Sequence, residues 1–233
     1  MSGLVRYAPR HGLDMLMTRG VAMLGVALVV ELPLILSGAF AEATTAQLTD
    51  LMGQLLGTLG VFFTLIAAYG LIGDDVRHGY YRFLFAKPVS PVAYYATSFV
   101  MTTLVFLAGV LGSVAVFSVL TRPVWPGSMM LEVLVDFCVL AALIMVYSRF
   151  SRFDWLLALV TLGLSDVARH KWPREQNLFG KVIDVLVPPT RTGRLFPADG
   201  PHWDMVAHEL LYAGALLLLA LWLVRRVPFG SAR

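Results

Sequence analysis

The feature that most constrains this chain is a series of apolar blocks, each close to the length that crosses a lipid bilayer. A helix rises ~1.5 Å per residue, so ~20 residues cover a hydrocarbon core ~30 Å thick. Blocks of this kind fall at about residues 21–40, 51–72, 96–120, 130–147, 155–168 and 207–224. Composition agrees, because 58% of the 233 residues are hydrophobic and 14% are charged, where a soluble domain carries about 25% charged residues. So few charges cannot cover a water-facing surface. The expectation is an all-α, polytopic membrane helical bundle of six transmembrane helices, with residues 1–233 forming a single transmembrane domain.

Basic residues set the expected topology. With the N-terminus inside, Arg6, Arg10 and Arg19 precede the first span, and Arg77, Arg82 and Lys87 lie between the second and third. Arg149 and Arg152 follow the fourth span, and Arg225, Arg226 and Arg233 close the chain, while Arg122 falls outside. The positive-inside rule then places both termini in the cytoplasm of a plasma (inner) membrane protein. Two features oppose this. The fifth block is too short to cross unaided, and the loop 169–206, which alternation puts outside, holds Arg169, Lys171, Arg174, Lys181, Arg191 and Arg194. A rival arrangement makes 155–168 re-entrant and keeps that loop inside. Six spans are favoured because a double arginine directly after the last span is a strong inside anchor.

Other classes of function find little support. The N-terminal residues carry arginines but no short apolar stretch ending in a small-residue cleavage site, so no removable signal peptide is expected. Cys138, the single cysteine, has no partner in the chain for a disulfide. The net charge of +3 arises from arginines between apolar blocks and not from a basic tract, so no nucleic acid is expected as a partner. His11, His78, His170, His202 and His208 lie in loops or at a span's edge, which disfavours a haem-binding membrane anchor. An intramembrane enzyme is disfavoured too, since Gly163-Leu164-Ser165-Asp166 only echoes a nucleophile elbow and no His-Glu-x-x-His pair occurs.

The most informative stretch is 73–95, between the second and third blocks: Gly-Asp-Asp-Val-Arg-His-Gly-Tyr-Tyr-Arg-Phe-Leu-Phe-Ala-Lys-Pro-Val-Ser-Pro-Val-Ala-Tyr-Tyr. Asp74 or Asp75 suits the start of a short helix, Lys87 its end, and Pro88 forces the chain out of helical geometry. Val76, Tyr80, Phe83 and Leu84 recur at i, i+4, i+7 and i+8, giving an apolar stripe, while His78 and Arg82 lie elsewhere at i, i+4 spacing. A surface helix of about three turns is expected, one face on the bundle and the other toward a soluble partner. An ordinary basic loop pinned at the headgroups by Tyr and Lys is the plainer alternative.

This pattern of an acidic residue, arginine and glycine, an aromatic-apolar turn, and then Lys87-Pro88-Val89-Ser90 before a long span resembles the cytoplasmic coupling helix of ABC-2 type permeases. Val146-Tyr147-Ser148-Arg149-Phe150 is similar to that family's serine-containing turn between spans four and five, and the Pro188-Pro189 region to its outer segment before the last span. The chain departs where many members have threonine after the glycine, having Tyr80 instead. The resemblance implies the transmembrane subunit of an ATP-driven ABC transporter, working as a homo- or heterodimer of permease subunits in the lipid bilayer. Asp74, Asp75, Arg77, His78, Gly79, Tyr81, Arg82 and Lys87 would contact a separate ABC ATPase subunit. No Gly-rich phosphate loop ending in Gly-Lys-Ser or Gly-Lys-Thr occurs. This chain is therefore expected to hold no cofactor and not to be an enzyme, with Mg-ATP on the partner.

Within the blocks, Glu31 and Asp136 stand out, since an ionisable group in hydrocarbon costs about a few kcal/mol and must face protein, a cavity or a partner. They are candidates for a pathway or gating pair, with snorkelling of Glu31 to the nearer surface as its alternative. Gly53, Gly57 and Gly60 form a small-residue stripe suited to close helix packing, as do Gly109 and Gly112. The apolar part of 169–206 before Pro188 reads as an interfacial helix resting on the bilayer, with a gate over a pathway mouth as its alternative.

Overall fold

A computed structural model describes residues 13–38, 40, 42–69, 71–72, 90–151, 153–171, 195–196 and 200–226, with the side chains of 166, 169 and 170 outside that description. Most of these residues are helical, with no strand among them. We number the helices α1 Leu13–Leu36, α2 Thr45–Ala68, α3 Pro91–Leu120, α4 Gly127–Tyr147, α5 Asp154–Lys171 and α6 Trp203–Arg226. Five of them, α1 to α4 and α6, are long and apolar enough to cross a membrane. The apolar part of α5 ends at Ser165 and is shorter than a span.

Local chemistry explains where the helices begin and end. α1 includes a π-helical turn at Leu16–Gly20 and carries Pro33 inside its last turns. It stops at Leu36, short of the expected residue 40, because Gly38 takes a left-handed φ of 72°, the conformation that closes helices at little cost only in glycine. The Ser37 hydroxyl donates to the Leu34 carbonyl at 2.7 Å and so satisfies one of the orphaned acceptors. α2 starts earlier than the apolar block it contains. Thr44 and Gln47 form a reciprocal cap, with the Thr44 N–H donating to Gln47 Oε1 at 2.8 Å and the Gln47 N–H donating to Thr44 Oγ1 at 3.3 Å. α3 also begins before its apolar block, with Pro91 in the first turn, where its missing N–H costs nothing.

The chain divides into two compact units. One comprises Met1–Ala68 and Ala96–Phe137, the other Tyr69–Tyr95 and Cys138–Arg233. In the first unit, glycine allows helix backbones to approach closely. A Cβ at Gly57 would meet Met129 at 2.8 Å, and one at Gly60 would collide with Val133, so α4 lies against the glycine stripe of α2. A Cβ at Gly109 or Gly112 would meet Met23 or Leu24 of α1 at 2.8 and 2.7 Å, so α1 lies against α3 in the same way. Phe106 stacks on Phe137 at 4.2 Å between centroids, filling the space between α3 and α4.

In the second unit, α4 and α5 form a hairpin. Its turn is closed by the Ser148 hydroxyl on the Met145 carbonyl at 2.8 Å, and its legs are joined by Tyr147 Oη and Thr161 Oγ1 at 2.7 Å. Before α6, the His202 N–H donates to the Leu195 carbonyl at 2.9 Å, and Phe196 meets Trp203 edge-on.

Candidate functional site: buried polar groups of the helices

Among the expected site residues, Glu31 acquires the clearest surroundings. It is 0% exposed, and its Oε1 accepts a hydrogen bond from Ser113 Oγ at 2.5 Å. Both belong to the first unit, one from α1 and one from α3. At ~1.5 Å per residue, Glu31 lies about 7 Å and Ser113 about 10 Å from the last residue of its helix, so the pair sits inside the bundle near one end. Glu31 thus faces protein and does not snorkel to water. Its second oxygen, Oε2, is buried without a hydrogen-bond partner among the described residues. A carboxyl group held by one bond leaves a buried acceptor site open.

Two arginines tie the ends of the first unit. At one end, Arg19 reaches from α1 to donate to the Ala67 carbonyl, an acceptor in the last turn of α2 that the helix itself leaves unused. At the other, Arg122 follows α3 and donates to the Ala43 carbonyl at 3.2 Å, just before α2 begins. Next to Arg122 a cavity of about 300 Å³ is lined by Ile35, Gly38, Phe40, Leu48, Leu120 and Thr121. Phe117, wholly buried, leans against Phe40 at 6.3 Å between centroids.

Asp136 lies on α4 and is half-buried. Sequence reasoning missed three further groups. Glu132 on α4 and Glu209 on α6 are buried acids, 2% and 0% exposed. Glu132 stands four residues before Asp136, the spacing that puts two side chains on one helix face, and that signal was there to be read. Ser113, by contrast, is unremarkable as sequence, because a serine inside an apolar helix is inexpensive and only its contact with Glu31 gives it meaning.

In the second unit, Arg149 belongs to the turn after α4 and is 8% exposed. Burial pushes its guanidinium below the usual arginine range, and Tyr95 opposes that shift. The sequence marked Arg149 as an inside topology residue and as part of the 146–150 turn, and not as a buried group. Asp154, also buried, opens α5 with Oδ1 accepting from the Trp155 N–H at 2.9 Å.

Asp74, Asp75, Arg77, His78, Gly79, Tyr81, Arg82 and Lys87 lie outside the described residues, as does the Pro188-Pro189 region. Their flanks are described: α2 ends at Ala68 and α3 begins at Pro91, so 73–89 joins two membrane-length helices. Among the described residues no group of three or more His, Cys, Asp or Glu side chains is placed to hold a metal ion. Set against family models, curated proteins and solved structures, the chain matches none of them.

Proposed function

We propose that this chain is the transmembrane subunit of an ATP-driven transporter of the ABC-2 type, forming the pathway and taking its motion from a separate ATPase subunit. The observation that carries the reading is the acidic, arginine, glycine and aromatic pattern of 73–95, placed between two helices of membrane length. A short helix with an apolar stripe and a separate arginine and tyrosine face, as expected for this segment, would suit docking to a soluble partner, and with no Gly-rich phosphate loop in the sequence ATP would be hydrolysed on that partner. Six spans, with α5 extended by its flanks, and cytoplasmic termini belong to this reading, as does pairing with a second permease subunit. Buried carboxyl groups such as Glu31 fit a helical body that must accommodate a polar path.

The test is a double change in the connecting segment. Interface anchors of the tyrosine and arginine kind commonly contribute ~2 kcal/mol or more each, about thirtyfold in affinity. Tyr81→Ala with Arg82→Ala is expected to leave insertion and folding intact while the ATPase chain is lost on purification, or while ATP hydrolysis runs without transport. Ser128→Ala, an exposed position at the start of α4, should do neither. Retention of both partner and transport by the double variant would remove the main support for the proposal.

A further inference from the structure

The cavity beside Arg122 combines an apolar lining with a cation at its edge. Ile35, Phe40, Leu48 and Leu120 supply the apolar walls, where α1 ends, α2 starts and α3 ends. At such a level a membrane-spanning helix leaves the hydrocarbon and meets the headgroups, whichever leaflet that is. Arg122 is exposed, and its Nη1 bond to the Ala43 carbonyl fixes the guanidinium while using one of five N–H donors. Among the described residues no carboxylate pairs with it, and Glu42, the exposed acid of the α1–α2 connection, does not line the cavity. A guanidinium with donors to spare matches a phosphate in planar, two-point fashion.

The geometry points to a binding site for the headgroup of one acidic phospholipid, with its phosphodiester on Arg122 and its first methylenes against Ile35 and Leu120. The volume, at the lower end of the ~300–1,000 Å³ typical of ligand pockets, suits a headgroup and not a whole lipid. Thr121 donates its hydroxyl proton to the Phe117 carbonyl at 2.7 Å, so its oxygen remains an acceptor for a headgroup hydroxyl. Buried Phe117, leaning on Phe40, occupies the helix turn between Ser113 and the cavity wall at Leu120, keeping an apolar ring between a bound anion and the Glu31 carboxyl. Basic pockets between spanning helices are a recurrent way of holding anionic headgroups. The site does not depend on the transporter reading, because lipid retention can be measured on this chain without an ATPase.

Native mass spectrometry of the full chain, released from mild detergent containing equal amounts of phosphatidylglycerol and phosphatidylcholine, tests it. One phosphatidylglycerol per chain is expected to be retained in preference to phosphatidylcholine. Arg122→Gln should lower that retention at least about fivefold, the effect of one cation near an anionic lipid, with an unfolding temperature like that of the parent. Ile35→Trp, which fills the cavity and leaves Arg122 in place, should lower it too. Equal retention of the two lipids, or undiminished phosphatidylglycerol on Arg122→Gln, would overturn the site. Displacement of the lipid by excess inorganic phosphate would show that a free anion, and not a lipid, is the occupant.

Discussion

At the scale of single residues, the Glu31–Ser113 bond joins two buried polar side chains of the first unit. Two polar groups buried in an apolar bundle stabilise it only while they hold each other; removing one leaves the other unpaired, at a cost of about 1–3 kcal/mol. We expect Ser113→Ala to destabilise the protein by that amount in detergent unfolding, and to cost much less in a Glu31→Leu background, where no carboxyl remains to be orphaned. A double-mutant cycle reads the coupling directly. Strictly additive effects of the two changes would mean that the bond contributes nothing. Sequence alone singled out Glu31, because its charge is conspicuous in an apolar block, but left a protein partner and snorkelling to the surface both open. It could not name Ser113, since the partner lies on another helix and was chosen by packing.

At the scale of elements, glycines separate close packing from open surface. Gly60 of α2 faces Val133 of α4 so tightly that a methyl group cannot be added without movement, and Val133 is β-branched, with little rotamer freedom to yield. Gly60→Ala is therefore expected to lower stability by about 1–3 kcal/mol, as overpacking does. Gly163 of α5 has nothing within 4 Å of an added Cβ. There Gly163→Ala should be neutral or stabilising by up to about 1 kcal/mol through helix propensity. Thermal unfolding of the two variants checks the contrast, and equal stability would contradict the α2–α4 contact. The stripe at Gly53, Gly57 and Gly60 was legible as a packing surface. The helix ends were less so, because Thr44, Gln47 and Gly38 set them by hydrogen bonding and backbone conformation, which an apolar block length does not record.

At the scale of the whole molecule, the parity of the spans decides where the chain ends. Five crossings put the termini on opposite sides, and six put them on the same side. Arg225 and Arg226 in the last turn of α6 argue for a cytoplasmic C-terminus, and this requires α5 to cross with help from its flanks if the N-terminus is also inside. A reporter enzyme fused after Arg233 is expected to be active only in the cytoplasm. Activity on the far side would leave α5 as a non-crossing helix and move the basic loop 169–206 to the inside. By itself the sequence determined that the protein is a helical membrane protein, because helix length and transfer free energy are local properties that add along the chain. It also marked Glu31 and Asp136 as ionisable groups inside apolar blocks, though not the buried Glu132 and Glu209. Tertiary structure decided which groups they meet: Ser113 for Glu31, and the Ala67 and Ala43 carbonyls for Arg19 and Arg122. Those pairings join residues far apart in the chain, and only the close approach of packed helices brings them within hydrogen-bond reach.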